Sequence, residues 1–290
     1  MRRTALALLA VFLAALAPLA PAARAAAPER VTLVTCAPGS PGTTEEAQSA
    51  MDGLAAALGR RAALPDGALG AVYLPAEAEG VARLGAPDAA LALVSLPFYL
   101  EHGAALGLTP RLLVERSGGA LLERWTLVAR KGRVAKVEDL AGLTGSSTAG
   151  YAPAFVRGVI GAWGQFPAGA AVAATSQVLS ALRKAAGGAA VAVLLDGPQA
   201  EALPTLPFAG DLEVVTRSAP VPVALLATIG TRLPPARWTA LERALLGLAA
   251  DPQGAAALAG VRMVRFAPLD AAALATAQAL CRSPDAGPAR

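Results

Sequence analysis

The chain has 290 residues, 55% of them hydrophobic and 16% charged, with 29 Gly, 23 Pro and a formal charge of +4. Apolar content at that level excludes a disordered chain, and aromatics at 4%, with no Lys/Arg block interleaved with them, argue against nucleic-acid binding. A single histidine, His102, and two lone cysteines, Cys36 and Cys281, provide no zinc spacing, so neither a metal nor a cofactor is expected.

In chain order, Met1-Arg-Arg precedes an apolar run over 5–19 and the small-residue stretch around Ala23-Arg-Ala25. A charged start, a short apolar run and a small-residue cleavage site read as a secretory signal peptide over 1–25, hence an exported, periplasmic protein. Its removal takes Arg2, Arg3 and Arg24 and lowers the charge by three, from +4 to +1. The mature chain of about 265 residues is long enough for one large domain or two lobes.

Residues 30–35 read as a buried strand and Ala37-Pro-Gly-Ser-Pro-Gly-Thr as a turn. A helix follows with Ala47, Met51, Leu54 and Leu58 at helical spacing. Strands are expected over 72–74, 89–95 and 112–115, with helices over 76–84 and from 95 through 105. The run 89–95 is apolar throughout, as in a strand covered on both faces. A connection over 116–120 leads to a strand over 125–129. Then comes the Ser/Thr- and Gly-rich loop Thr144-Gly-Ser-Ser-Thr-Ala-Gly-Tyr151, opening a helix from Pro153 to about Trp163. A helix over 176–186 ends at Gly187-Gly188, and strands follow over 189–195 and 212–216. Pro220 and Pro222 mark a return, 223–229 reads as a strand, and helices over 235–248, 252–259 and 271–281 close the chain, with a strand over 262–266.

Alternating strands and helices predict an α/β protein with largely parallel sheets. Two crossings predict two lobes, with a double-crossover hinge between them. Lobe one is expected over 26–118 and 221–281, lobe two over 119–220, and a flexible tail over 282–290. Ligands of open α/β sheets bind beyond the carboxyl ends of strands. The loops after 36, 95, 143 and 195 are thus expected to line one cleft.

The 144–151 loop has two readings. A glycine- and hydroxyl-rich loop at a helix start is an anion cradle, because its amides are free and the helix dipole favours negative charge. An ordinary Ser/Thr cap reads the same residues without a ligand. Ser95 before Pro97 and Tyr99 is either a contact at a strand end or a plain turn, and Tyr151 either offers its hydroxyl or packs its ring. Asp196 reads foremost as a helix cap, Arg157 as solvent-facing, and Arg116 and Arg124 as surface residues. His102 lies in a helix beside Glu101, and Gly145-Ser-Ser-Thr-Ala-Gly misses the Gly-X-Ser-X-Gly spacing, so no catalytic triad is read. In an oxidising compartment Cys36 and Cys281 read either as a disulfide or as two separately buried thiols. A bond would close a loop of roughly 245 residues and contribute about 4–5 kcal/mol.

Four stretches carry a family resemblance. Trp125-Thr-Leu-Val-Ala-Arg-Lys-Gly with Val137-Glu-Asp-Leu-Ala-Gly, Ser147-Thr-Ala-Gly-Tyr-Ala-Pro, the region over 189–196, and Ser218-Ala-Pro-Val-Pro with Asp251-Pro-Gln-Gly are each similar to segments of one group. That group is the periplasmic substrate-binding proteins of the phosphate/phosphite/phosphonate ABC transporters, of the type 2 periplasmic binding-protein fold. The resemblance implies a receptor that closes on a small anion and delivers it to an ABC permease. The chain is expected to be monomeric and, for want of histidines and paired carboxylates, not an enzyme; an enzyme, or a sensory or partner-binding module, on the same bilobal fold is the alternative reading. Carried over by position, it implies ligand contacts at Ser147, Thr148 and Tyr151, with Ser95, Tyr99 and Ser40 from lobe one. The chain departs from the family at Ala174-Thr-Ser-Gln177, where an acidic or histidine residue is usual, leaving the uncharged Gln177 as the contact.

Overall fold

The computed structural model describes residues 30–39, 43–118, 120–167 and 169–282. The expected signal peptide, Ser40 and the tail over 283–290 lie outside the described residues. The first half runs β1 (Val31–Cys36), α1 (Thr44–Arg61), β2 (Leu69–Leu74), α2 (Glu77–Leu84), β3 (Ala89–Ser95), α3 (Leu96–His102) and β4 (Leu108–Arg116). After β5 (Leu122–Glu123) come β6 (Thr126–Arg130), β7 (Thr144–Ser147), α4 (Pro153–Gly161), β8 (Val172–Ala174), α5 (Val178–Ala186), β9 (Val191–Leu195), α6 (Gly197–Ala202) and β10 (Leu212–Arg217). The chain returns through β11 (Val221–Pro222) and β12 (Ala224–Ile229) to α7 (Pro235–Leu246), α8 (Pro252–Gly260), β13 (Met263–Pro268) and α9 (Ala271–Cys281).

Two mixed sheets organise these elements, one of six strands in the order β13-β4-β12-β3-β1-β2 and one of five in the order β10-β6-β9-β7-β8. In the first, β1 pairs in parallel with β2 and β3, while the returning β12 inserts antiparallel between β3 and β4. In the second, β7 pairs in parallel with β8 and β9, and β6 runs antiparallel to β9. The parallel pairs are the βαβ units legible in the sequence. The antiparallel ones belong to strands that arrive from a crossing or leave for one.

Register explains how the sheets face each other. The first residue of β12, Ala224, lies opposite the last of β3, Ser95. Likewise Thr126, which opens β6, lies opposite Leu195, which ends β9. Both sheets therefore meet the crossings at the carboxyl ends of their parallel strands. The crossings themselves pair as a short ribbon, Glu123 with Val221 and Leu122 with Pro222.

The strands are covered on both faces. One face of the first sheet buries Leu33, Leu91 and Leu226 against α1, α7 and α8 through Leu54, Leu58, Leu241 and Leu258. The other face packs Val34, Cys36 and Val94 against Leu84 of α2 and Phe98 of α3. In the second lobe Val128 and Val193 meet α5, and Leu127 and Leu194 meet Phe155 and Val159 of α4. Burying each such side chain contributes about 1.5–3 kcal/mol.

The cluster around α4 also contains Leu96, Leu113 and Leu225 from the first sheet and Leu274 and Ala277 from α9, so one apolar core runs continuously from lobe to lobe. A Cβ at Gly158 of α4 would stand 2.7 Å from the carbonyl oxygen of Leu280, so α9 lies directly on α4. The expected lobe-one segment 221–281 thus ends in a helix seated on the second lobe.

The disulfide expectation is corrected here, since both cysteines are free thiols. Cys36 is buried under α2, where Gly80 leaves room for its sulfur, and its thiol points to the Ala76 carbonyl at 3.8 Å. Cys281 ends α9 beside α4. Burial, reinforced by Glu77, pushes the Cys36 thiol up to about 12. Burial and then Glu101 push Cys281 to about 11. Neither is a ready thiolate.

Candidate functional site

The residues of 144–151 divide between strand and turn rather than forming one loop. Thr144–Ser147 is β7, and its zipper with β8 and β9 continues to Ser147, which pairs with Ala174 and Leu194. Ser147 is fully buried; its hydroxyl donates to the Leu194 carbonyl at 2.8 Å and accepts from the Ala149 amide at 3.1 Å. Its carbonyl accepts from the Thr175 amide at 2.9 Å. The Ser147 hydroxyl therefore pins the turn to its own sheet, and its proton is engaged. The expected hydroxyl contact at Ser147 is corrected to a structural one.

Gly150 lets that turn lie against the β8 end, since a Cβ there would collide with the backbone of Ala173 and Ala174. Thr148 looks the other way, toward lobe one. A Cβ on Gly39 would come within 3.1 Å of Thr148 Cβ, and Gly39 also holds φ of +77°, a left-handed conformation that glycine takes readily. The turn after β1 and the turn after β7 thus touch across the lobes.

Tyr151 makes the second cross-lobe contact. Its hydroxyl lies 3.2 Å from Ser95 Oγ, and its ring packs against both the α4 core and the α2–α3 core. Ser95 ends β3 and caps α3, accepting from the Phe98 amide at 3.5 Å, so its position is fixed by the helix it starts. Burial raises the Tyr151 phenol above its ordinary range, with Ser95's hydrogen bond opposing and Cys36, Glu77 and Glu101 adding to the rise. Tyr99, one turn into α3, accepts from Gln278 Nε2 of α9 at 3.3 Å.

α4 opens beside these groups with buried Ala152 as its N-cap, Pro153 in its first turn and no side-chain cap, unlike α3 and α6. Its N-cap makes no side-chain hydrogen bond to the first-turn amides, and Pro153 has no N–H to satisfy. Helix starts left in that condition are suited to an anion or water.

Gln177 does not join the group. It is exposed at the start of α5, and its amide donates to Thr175 Oγ1 at 3.0 Å. Asp196 caps α6 through the Gln199 amide at 2.9 Å. Arg124 donates to the Ser218 carbonyl at 2.8 Å and so fastens the crossings together. Arg157 is half-buried, not solvent-facing, and its Nε has no hydrogen-bond partner. His102 pairs with Glu77 at 2.7 Å and stacks near Phe98, a contact between α2 and α3.

Sequence reasoning passed over Gln278 and the Glu77–His102 pair. Their partners lie 179 and 25 residues away, beyond any local motif. Among the described residues, no group of three or more His, Cys, Asp or Glu is placed to hold a metal.

No protein-family model matches the chain, and no curated protein matches it in sequence. Solved structures do match in shape. XAC2383 from Xanthomonas citri, bound to chloride, aligns with a TM-score of 0.71 at 18% identity, over 87% of this chain and 96% of that one. The binding-protein component of an ABC phosphonate transporter from Pseudomonas aeruginosa aligns with a TM-score of 0.63 at 15% identity, over 87% and 85%. PhnD1 from Prochlorococcus marinus, in complex with methylphosphonate, aligns with a TM-score of 0.62 at 12% identity, over 89% and 99%. The chain has the two-lobed α/β fold of periplasmic binding proteins.

Proposed function

We propose that the chain is a periplasmic solute-binding receptor. It holds a small, phosphate- or phosphonate-like anion between its lobes and hands it to an ABC permease. The observation that carries this reading is the meeting of strand-end turns from both sheets, Gly39 with Thr148 and Ser95 with Tyr151, with Tyr151 two residues before α4, whose N-cap makes no side-chain bond. A guest placed there would take main-chain donors from α4 and hydroxyls from Thr148, Tyr151 and Ser95, with Tyr99 and Gln278 at the rim. Ser40 follows Gly39 and belongs to the same reading. The binding proteins that share the fold, one of them in complex with methylphosphonate, support it.

Hinge opening would part Ser95 from Tyr151 to admit the guest.

A thermal-shift screen with phosphite, phosphate, phosphonates and sulfonates tests this. A guest at 100 times its Kd adds roughly 2.7 kcal/mol of stability. A shift that Tyr151→Phe reduces supports the junction as the site. No shift with any anion, or turnover of an added substrate, overturns the receptor reading.

A further inference from the structure

Glu123 is an acid in an unusual place. It lies on β5, in the outward crossing, and is only 8% exposed. Among the described residues it forms no salt bridge. Its Oε2 accepts from the Gly197 amide at 2.9 Å, which ties the crossing to the first turn of α6 in lobe two. A Cβ on Gly197 would stand 3.0 Å from the Glu123 Cβ, so the glycine is what lets the two segments close up. Three groups face this carboxyl from other elements. Asp196, at the end of β9, brings a second carboxylate; Arg116, at the end of β4, brings a positive charge; and Trp125, just before β6, brings its indole. Asp196 is itself pushed upward by burial, against the pull of the Gln199 amide and Arg116.

We propose that Glu123 is a proton-operated strut in the hinge, neutral when the lobes are closed and driving the crossing away from α6 when it ionises. The geometry supplies the coupling, because the carboxyl ties β5, one of the two paired crossings between the lobes, to the start of α6. Ionised, it would share a buried corner with Asp196, and the way to relieve both desolvation and repulsion is to admit water between β5 and α6. Burial, with Asp196 acting in the same direction, raises the Glu123 carboxyl to about 7, against the opposing pull of the Gly197 amide, Arg116 and Trp125. The switch therefore works in the neutral range. The proposal concerns the unliganded hinge and stands apart from which solute the protein carries.

The test is small-angle scattering of the full mature chain without ligand, from pH 5.5 to 8.5. The wild type is expected to expand as pH rises, and Glu123→Gln to stay compact throughout. Asp196→Asn keeps a good helix cap but removes the neighbouring charge that helps raise the Glu123 carboxyl, so Glu123 ionises more readily and the midpoint of expansion should move to lower pH. A wild-type radius that does not change with pH overturns the strut, as does an unchanged transition in Glu123→Gln. Should Glu123→Gln fail to fold, an Asp196→Asn midpoint identical to the wild type overturns it instead.

Discussion

Ser147 and Tyr151 sit four residues apart and do opposite kinds of work. Ser147 satisfies the Leu194 carbonyl and the Ala149 amide inside its own lobe. Ser147→Ala leaves both without that partner in a buried site. The expected cost is about 1–3 kcal/mol, read as a lower urea midpoint with an unchanged slope. Tyr151 instead reaches across to Ser95. Tyr151→Phe keeps the ring in both cores and removes only that hydroxyl pair, so its expected cost is smaller, about 0.5–1.5 kcal/mol. At Gly150 a single methyl would run into the β8 backbone. Gly150→Ala is expected to destabilise by about 1–3 kcal/mol through overpacking, measured by thermal unfolding.

Among the elements, α2 and β3 are joined by an acid whose environment favours its charge. Asp88 accepts from both Arg83 guanidinium nitrogens, at 2.9 and 2.6 Å, and from the Thr32 hydroxyl at 2.6 Å. These bonds, Arg83 foremost and Thr32 next, lower its carboxyl from 3.8 to about 2. The folded chain thus binds this proton less tightly than the unfolded one. Its stabilisation is complete above the ordinary carboxylate range and is lost as pH falls through about 2. Asp88→Asn should flatten the acid limb of the stability curve over that window, followed by circular dichroism. The side chain's exposure of 42% allows solvent to screen the pair and keeps the effect modest.

For the molecule as a whole, the continuous core from Leu96 and Leu225 through Phe155 to Leu274 holds the two lobes together by packing. Gly158→Ala would push α9 off α4 and should loosen both lobes together, seen as one cooperative transition at lower temperature. Glu123 gives the opposite pH sign to Asp88. Its folded value of about 7 exceeds the ordinary 4.5, so the folded chain keeps a proton that the unfolded chain releases. Stability contributed by the neutral form is present at low pH and declines as pH rises from 4.5 to about 7, by up to about 3 kcal/mol. Glu123→Gln should remove that decline in urea titrations at fixed pH values.

The sequence by itself determined the longer elements and their order, because helical spacing at Met51, Leu54 and Leu58 and the unbroken apolar run of β3 are local records of burial; the short strands β5, β7 and β11 carried no such record. The cap at Asp196 was legible for the same reason, as a side chain bonding three residues onward writes a short motif. The tertiary structure alone decided which hydroxyls are spent within a sheet and which face the other lobe. Ser147 and Thr148 are chemically alike and adjacent, yet one turns into its sheet and the other toward Gly39. It also decided the seating of α9 on α4, the separation of Cys36 from Cys281 and the burial of Glu123. Each depends on surfaces brought together from distant parts of the chain, and no spacing within a segment encodes which distant surface it will meet.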